Sequence, residues 1–413
     1  MLDAKSAASL LGVKTQTLYA YVSRGLIRTA MRHGAQASLY HREDIEALRQ
    51  NKRGTTPAAD LVDRSVRWGG GGQVVQTAVT FIEPAGPRYR GKLAVDLAQS
   101  RRPFEDCVEL LWTGALPLHS LVWQPPTPRS SFETLAASFG ALASGCTTRQ
   151  LLALVAQAYG ACSGQNAENA IGAPALAGRQ LIQAMAATLG LLGSPPQFRL
   201  AREPESVAAT LIRSMGLRQT PEVVRMIDAA LILSADHELA PSTYAARIAA
   251  SAGGDIFACV VSALGTFEGP LTGFACDASE QLLRQSDSAK SYVGALKEFA
   301  ERKAGVPGYN HPLYDDADPR AMLLLAMAQS VSPLPPRARL QLECIEAAMS
   351  KMKLAPSLAV GLVALSAALE MPAGAPGAVM AVGRTAGWIA HAFEQRLAGY
   401  LVRPRTKYVG VQE

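Results

Sequence analysis

The segment 229–278 decides the fold that the sequence predicts, and it reads AALILSADHELAPSTYAARIAASAGGDIFACVVSALGTFEGPLTGFACDA. The apolar run Met226–Leu233 predicts a buried helix, and Asp236-His237-Glu238 follow it directly. A second helical pattern is interrupted by Gly253-Gly254 and ends in a turn at 269–273. Charged groups at the end of a buried helix cost free energy unless they are paired or used. His237 is therefore either a satisfied structural histidine or part of a functional site.

Further segments of distinctive composition lie on both sides of this run. Two precede it, TFIEPAGPRYRG at 80–91 and FEDCVELLWTGALP at 104–117. Three follow it, VPGYNHPLYDDADPR at 306–320, GRTAGWIAH at 383–391 and VRPRTKYVG at 402–410. In this order and spacing the segments resemble the citrate synthase family, whose signatures include an ADHE-type segment, a GPLHGGA turn, a GxGH…DPR segment, an ART-GW-AH helix and an RP near the end. The resemblance extends from about Val74 to Gly410.

The resemblance implies a body of two helical domains separated by a cleft, and a two-fold dimer. We expect this body at residues 73–413, with the smaller domain at about 261–369 inserted in the larger one. The residue pattern favours an all-α fold independently, because most segments repeat Ala and Leu at helical spacing and aromatic residues make up only 6% of the chain. Residues 55–72, polar at first and ending in four glycines, predict a linker.

The family's dicarboxylate substrate, oxaloacetate, requires cationic groups, and arginine binds carboxylates through paired hydrogen bonds. Arg320, Arg384 and Arg403 stand where the resemblance implies such arginines, with Arg403 reaching into the neighbouring subunit's site. His237 would hydrogen-bond the substrate, and His311 would polarise its keto carbonyl or donate a proton to it. A single arginine more often forms a surface ion pair, but three at three signature positions favour a dicarboxylate site.

The second substrate that the resemblance implies is a coenzyme A thioester, and no permanently bound cofactor is expected. The backbone around Val306, Gly308 and Asn310 would contact its adenine, although Asn310 replaces the family's usual glycine. No spacing of Cys, His, Asp or Glu typical of a metal site occurs in the sequence.

Two positions depart from the family's catalytic residues. Thr272 stands where the GPLHGGA turn has histidine, and Ala359 stands where the family has its catalytic aspartate. Alanine cannot accept a proton, and threonine can donate a hydrogen bond but cannot become cationic. Phe274 also replaces a glycine and would narrow the acyl pocket. In an altered mechanism, Thr272 or a nearby Ser357 or Asp277 would assist. We expect substrate binding with weak or absent condensing activity.

Residues 1–54 predict a separate small domain. Short helices at 3–11 and 14–22, a hairpin or wing up to Tyr40, and a third helix at 41–49 resemble the MerR-like or excisionase-like winged helix-turn-helix. The second helix would present its N-terminal residues to base edges, and nearby arginines would contact phosphates. The expected base-edge residues are Lys14, Thr15, Gln16 and Thr17, and the expected phosphate contacts are Arg24, Arg28, Arg32 and Arg42. A basic domain without DNA-binding function is the alternative.

Charge and composition limit the classes of protein. The net charge is +6, and residues 1–54 alone hold nine Lys and Arg against four Asp and Glu, so the basic excess belongs to this segment. Six scattered cysteines favour a reducing compartment. The N-terminus lacks the apolar region of a signal peptide, and the longest apolar run, 354–369, is short for a membrane span. We expect a soluble cytoplasmic protein.

Three functional interpretations remain open from the sequence. The chain is a dicarboxylate-binding protein that reports its ligand through the DNA-binding domain, or a pseudo-subunit that completes the site of an active citrate synthase paralogue in a heterodimer. The third interpretation is an active enzyme of the citrate or 2-methylcitrate synthase type, an acyl-CoA:oxaloacetate acyltransferase of the tricarboxylic acid cycle with an altered mechanism. A homodimer is compatible with the first and the third.

Overall fold

A computed structural model of the 413-residue chain describes residues 2–11, 13, 18, 29–31, 38–40, 42, 45, 75–164, 172–269, 273–301 and 305–403. The predicted linker, Lys14 to Thr17, Arg24, Arg28, Arg32 and Thr272 lie outside these residues, as does the side chain of Phe274. The chain divides into two compact units, residues 1–61 and residues 62–413.

The first unit contains the predicted first helix and hairpin. Helix α1 spans Ala4–Leu11, and the Asp3 carboxylate caps it by accepting the Ser6 N–H at 2.7 Å. Strands β1 (Thr29–Met31) and β2 (Ser38–Tyr40) pair antiparallel. Ala7, Leu18, Tyr40 and Ile45 form a small apolar core. The predicted recognition helix is described at a single position, Leu18.

The second unit is mainly helical, which confirms the predicted all-α class for the body. Its helices are α2 (Ala94–Gln99), α3 (Phe104–Thr113), α4 (Ser130–Ala136), α5 (Phe139–Leu142), α6 (Thr148–Ser163), α7 (Ala173–Ala187), α8 (Val207–Ser214), α9 (Pro221–Ser234), α10 (Pro241–Ser251), α11 (Ile256–Phe267), α12 (Phe274–Gln285), α13 (Ala289–Glu301), α14 (Pro319–Gln329), α15 (Pro336–Met352), α16 (Leu358–Ala368) and α17 (Ala375–Ala398). Short 3₁₀ helices span Ala143–Gly145 and Thr188–Leu192.

A small antiparallel sheet, which the Ala/Leu pattern did not predict, precedes the first of these helices. It consists of β3 (Thr80–Glu83), β4 (Gly86–Tyr89) and β5 (Lys92–Leu93), with β4 in the middle. The fully buried Tyr89 hydroxyl donates to the Ile232 carbonyl (2.9 Å) and accepts the Asp236 N–H (3.3 Å). The sheet therefore holds the C-terminal end of α9 in place.

Two apolar cores lie in the second unit. The larger core is built from buried residues of α9, α10, α11 and α17, among others. The smaller core is drawn from residues 282–368 and contains Leu283, Tyr292, Ile345 and Val363. The six cysteines, all of them described, form no disulfide bond, and four are buried as small apolar side chains. The boundaries expected for the smaller domain remain a prediction.

Helix α17 packs against the end of α9 through two glycines one turn apart. A Cβ at Gly383 would lie 2.7 Å from the Leu231 carbonyl oxygen, and one at Gly387 would lie 2.5 Å from the Ala235 carbonyl oxygen and overlap Asp236 Oδ1. The Gly387 N–H donates instead to the Ala235 carbonyl at 2.9 Å. Only a residue without a side chain permits this approach of the two backbones.

We predict that Gly387→Ala destabilises the protein by about 1–3 kcal/mol or more, because the methyl group would displace the end of α9 from α17. Chemical unfolding monitored by circular dichroism measures the change. Gly265→Ala is the matched control, since Gly265 is helical and nothing lies within 4 Å of the position that its methyl group would occupy. The control should be neutral or stabilising by up to about 1 kcal/mol. Equal unfolding free energies for both variants would contradict the close-packing account.

Candidate functional site

A polar cluster lies where four elements of the second unit meet. The segment after α9 contributes His237, and the loop before α14 contributes His311 and Tyr314. The first turn of α14 contributes Arg320, and the middle of α17 contributes Arg384. Four of these five residues, all except His311, are buried. The cluster therefore unites residues that are up to 147 positions apart.

The two histidines and the tyrosine form its aromatic wall. The rings of His237 and His311 lie edge to face, with centroids 4.9 Å apart. The Tyr314 hydroxyl lies 3.1 Å from His237 Nε2, and its ring centroid lies 5.5 Å from that of His311. His311 Nδ1 accepts the Leu313 N–H at 3.3 Å, so a neutral His311 carries its proton on Nε2. His311 is thereby arranged as a neutral hydrogen-bond donor.

Arg384 supplies a buried guanidinium with free hydrogen-bonding capacity. Its Nε donates to the Ser234 carbonyl at 2.7 Å, which fixes the direction of the side chain. Its two terminal nitrogens make no hydrogen bond with any residue that the structure describes. Two parallel N–H groups of this kind match a carboxylate. Burial lowers the pKa of Arg384, although the Asp236 carboxylate opposes that effect.

Arg320 is held differently, by a buried carboxylate. Its Nε donates to Asp318 Oδ1 (3.0 Å) and its Nη2 donates to Asp318 Oδ2 (2.8 Å). Burial would lower the pKa of Arg320, but the Asp318 charge outweighs it and raises that pKa above its ordinary value. Asp318 also accepts the N–H groups of Arg320 (3.0 Å) and Leu358 (3.1 Å), so one carboxylate joins the beginnings of α14 and α16.

The loop expected to contact a nucleotide is attached to the beginning of α16. Asn310 has a positive φ of 54°, a conformation that asparagine tolerates better than most residues. Its N–H donates to the Ala355 carbonyl (2.7 Å), and its Oδ1 accepts the Ala355 N–H (2.9 Å). Gly308 has a φ of 80° and lies too close to Val360 for a side chain. The replacement of the expected glycine by Asn310 thus preserves a positive-φ backbone and adds a hydrogen bond.

Ala359 lies in the first turn of α16, immediately after this loop. It is 4% exposed and packs in the larger apolar core. Its methyl side chain has no polar atom, so it places no proton acceptor at the beginning of α16. The backbone geometry around it is nevertheless fixed, because Ser357 N–H donates to the Gly308 carbonyl at 2.8 Å.

A second set of charged and polar side chains contacts the segment 236–238, which contains His237. Asp236 is fully buried, and its Oδ2 lies 3.3 Å from His391 Nε2 and accepts the Glu238 N–H at 3.1 Å. Arg247 lies behind His391 and donates to Glu394 at 2.7 Å. Burial alone would raise the pKa of Asp236, but the proximity of His391 and Arg384 brings it below its ordinary value. The lowered pKa favours the ionised carboxylate, whose Oδ2 makes these contacts while its buried Oδ1 has no hydrogen-bond partner among the described residues.

The two histidines of the cluster are held in the neutral form. Burial, reinforced by the charge of Arg320, lowers the pKa of His311 to about 4 and lowers that of His237 well below its ordinary value. A pair of neutral imidazoles beside guanidinium groups can donate hydrogen bonds to an anion and to a carbonyl oxygen without releasing or taking up protons near neutral pH.

The structure brings together four of the residues that the sequence predicted, His237, His311, Arg320 and Arg384. It does not bring Arg403 to them, because in the single chain Arg403 is exposed and makes no hydrogen bond or ion pair with the described residues. Tyr314 and Asp318 are members of the site that were not predicted from the sequence. Both lie within the segment 306–320. Their polar side chains, between His311 and Arg320 in the sequence, were the feature from which their place in the site could have been predicted.

Comparison with known proteins identifies two matching domains. Residues 70–405 match the family model "Citrate synthase, C-terminal domain", and residues 1–53 match a helix-turn-helix domain. A Mycobacterium tuberculosis (strain H37Rv) protein named "Putative citrate synthase 2" is 32% identical over 220 residues, covering 51% of this chain and 58% of that protein. Citrate synthase 2 of Bacillus subtilis (strain 168) is 28% identical over 242 residues, covering 56% of this chain and 65% of that protein. The matched region thus spans less than two thirds of each of these relatives.

A solved structure shares the fold. It is the ternary complex of carboxymethyl coenzyme A and oxaloacetate with citrate synthase from Thermoplasma acidophilum, with a TM-score of 0.67 and 22% identity over 87% of this chain and 97% of that chain. Among the described residues, no helix is long and apolar enough to cross a membrane, and no three or more His, Cys, Asp and Glu side chains are grouped as metal ligands.

We predict that His237 and His311 remain neutral between about pH 5 and pH 8, because burial and the nearby guanidinium oppose protonation. Titration of the imidazole signals by NMR measures this, with each signal assigned through its loss in His237→Gln or His311→Gln. The urea-unfolded chain is the control, in which all histidines should titrate near their ordinary pKa of about 6.5. A native transition near that value for either ring would contradict the proposed state of the site.

Proposed function

The chain belongs to the citrate synthase family, and from this premise we propose that it binds a dicarboxylate of the oxaloacetate or citrate type with little or no condensing activity of its own. The observation that carries the proposal is Arg384, a buried guanidinium whose terminal nitrogens are unpaired among the described residues and lie with Arg320, His237 and His311 in one cluster. A fixed guanidinium in a buried site favours a carboxylate ligand strongly.

Each polar group of the cluster has a distinct proposed role. Arg384 binds one carboxylate, and Arg320, oriented by Asp318, stabilises the negative charge of the ligand. His237, oriented by Tyr314, donates to the ligand. His311, with its proton on Nε2, polarises the keto carbonyl. Asp318 is a positioning residue, since its four accepted hydrogen bonds leave it committed to the protein.

The chemistry that the cluster lacks is removal of a proton from a thioester methyl group. Ala359 provides no base, and loss of a general base lowers rates by about 10²–10⁴-fold. Two nearby carboxylates are engaged by other side chains, because Asp236 Oδ2 lies against His391 and Asp318 is paired with Arg320.

Two further groups bear on the same step. The sequence offered Asp277 as a residue that would assist an altered mechanism. In the structure its carboxylate is paired with Arg149 at 2.5 Å, and Arg149 also binds Glu268 at 3.3 Å. Thr272 in place of a histidine removes a group that could become cationic beside the thioester. Both observations support binding without proton abstraction.

Binding of a coenzyme A thioester is part of the proposal. The turn at 308–310 has positive φ angles at Gly308 and Asn310, which suit a close backbone approach to adenine, and Val306 stands before it. A homodimer, or a heterodimer with an active paralogue, would bring Arg403 of one chain to the cluster of the other. The exposed position of Arg403 in the single chain is compatible with either arrangement.

We predict that the protein binds oxaloacetate or citrate in calorimetry, and that Arg384→Gln weakens this binding by at least about tenfold, since a charge-assisted hydrogen bond contributes about 1.5–3 kcal/mol. Thiol release from acetyl-CoA and oxaloacetate, measured on the same preparation, should remain near the rate without protein. Arg339→Gln is the matched control, because Arg339 is exposed on α15, and it should bind like the unchanged protein.

Two outcomes separate the alternatives. Turnover at about 1–10³ s⁻¹, the range of ordinary enzymes, would replace this proposal with an active citrate or 2-methylcitrate synthase of altered mechanism. Absence of both binding and turnover in the pure homo-oligomer, restored by co-expression with an active paralogue, would favour the pseudo-subunit.

A second candidate function is DNA binding by the N-terminal domain, supported by the helix-turn-helix match at residues 1–53 and by the basic excess in this segment. A dimeric body would place two such domains on one duplex and create two half-sites. In that case the dicarboxylate would act as the signal that a metabolite-responsive regulator senses.

We predict that the full chain selects a common sequence from random DNA duplexes, and that its affinity falls steeply with salt concentration. Gln16→Ala with Thr17→Ala should lose the sequence preference, while Arg24→Gln with Arg28→Gln should weaken binding to all duplexes, because base and phosphate contacts differ in this respect. Arg339→Gln serves again as the control. Recovery of unenriched random sequence after repeated selection would exclude sequence-specific DNA binding.

A further inference from the structure

A cavity of about 590 Å³ lies at the opposite end of α9 from the candidate functional site. It is lined by residues after α2 and by the first turns of α9, including Arg101, Arg102, Glu222, Arg225 and Asp228. Helix α9 has 14 residues, and at about 1.5 Å per residue the two sites are about 20 Å apart. No residue of this cavity belongs to the cluster around Arg384.

Three guanidinium groups give the cavity its charge. Arg101 and Arg225 make no side-chain hydrogen bond or ion pair with the described residues. Arg102 uses Nη1 for the Asp106 carboxylate and the Pro117 carbonyl, both at 2.9 Å, and its Nε and Nη2 make no such bond within the described part of the chain. Arg101 also has a positive φ of 60°, which is uncommon for a residue with a side chain. The cavity therefore holds cationic donors that the described fold does not use.

A buried carboxyl group forms part of the same wall. Asp228 is 8% exposed, and its Oδ1 accepts the Phe104 N–H at 3.0 Å. Its Oδ2 makes no hydrogen bond with the described residues. Burial, with the charge of Glu105, raises the pKa of Asp228 to about 8, which favours the protonated form. A protonated carboxyl can donate a hydrogen bond to an oxyanion.

We propose that this cavity is a binding site for a small dianion, namely a phosphate ester or a dicarboxylate. The three arginines outnumber the exposed Glu222 and the Asp106 carboxylate that pairs with Arg102, which leaves a net charge of about one positive unit when Asp228 is protonated. Forked N–H donors match the oxygens of phosphate and carboxylate groups. The volume lies within the range of small-molecule sites, about 300–1,000 Å³. The N-terminal end of α9 adds its dipole, which also favours an anion.

The test is calorimetry with inorganic phosphate and, separately, with succinate, on the full chain carrying Arg384→Gln, so that the dicarboxylate site around Arg384 does not contribute. We expect at least one of them to bind, and Arg101→Gln with Arg225→Gln to weaken that binding by at least about tenfold. Arg384→Gln separates the two sites and should leave binding in this cavity unchanged. Arg339→Gln should behave like the unchanged protein. Binding of phosphate alone assigns a phosphate ester, and binding of succinate alone assigns a dicarboxylate.

Two further variants keep the result interpretable. The single change Arg101→Gln removes an exposed side chain that makes no hydrogen bond or ion pair with the described residues, so it should fold normally and still weaken binding. Asp228→Asn keeps a hydrogen-bond acceptor for Phe104 N–H and should weaken binding less than loss of the arginines. The proposal is overturned if neither anion binds the Arg384→Gln protein, or if binding to that protein persists when Arg101→Gln and Arg225→Gln are added. Failure here leaves the proposed function untouched, because the two sites share no residue.

Discussion

The close approach of α9 and α17 is the constraint on which the rest of the site depends. Gly383 and Gly387 allow the backbones to meet, and the hydrogen bond from Gly387 N–H to the Ala235 carbonyl fixes the end of α9. Arg384 lies between these glycines and donates to the Ser234 carbonyl, so the same contact that packs the helices also directs the guanidinium. A helix pair without these small residues would leave Arg384 undirected and the segment that follows α9 displaced.

Burial of most of the titratable groups in the site is tolerated because they have a defined partner or remain neutral. Asp318 neutralises Arg320, and Asp236 is paired with His391. The two histidines of the site avoid the cost of burial by remaining neutral. Arg384 is the exception, since its terminal nitrogens lack a partner among the described residues, and this imbalance is what a carboxylate ligand would relieve. The proposed separation of ligand binding from proton abstraction follows from this arrangement together with Ala359.

The sequence predicted those residues of the site that lie in recognisable local segments. His237, His311, Arg320 and Arg384 each stand in a recognisable segment, and the apolar run before His237 predicted α9 correctly. Tyr314 and Asp318 were not assigned because their roles depend on which atoms meet across separate elements. The sheet at 80–93 was missed because strands of two to four residues leave little pattern. The arginine-lined cavity could not be predicted either, since Arg101 and Arg225 are 124 positions apart and join no motif.

The central claim is that this chain holds the dicarboxylate but lacks the group that removes a proton from the thioester methyl. Exchange of deuterium from acetyl-CoA labelled in its methyl group, in the presence of protein and oxaloacetate, measures that step alone, whether or not condensation follows. We expect deuterium loss no faster than in a matched solution without protein. Protein-dependent loss of the label at a rate comparable to enzyme turnover would show that another base acts at the methyl group and would contradict the account.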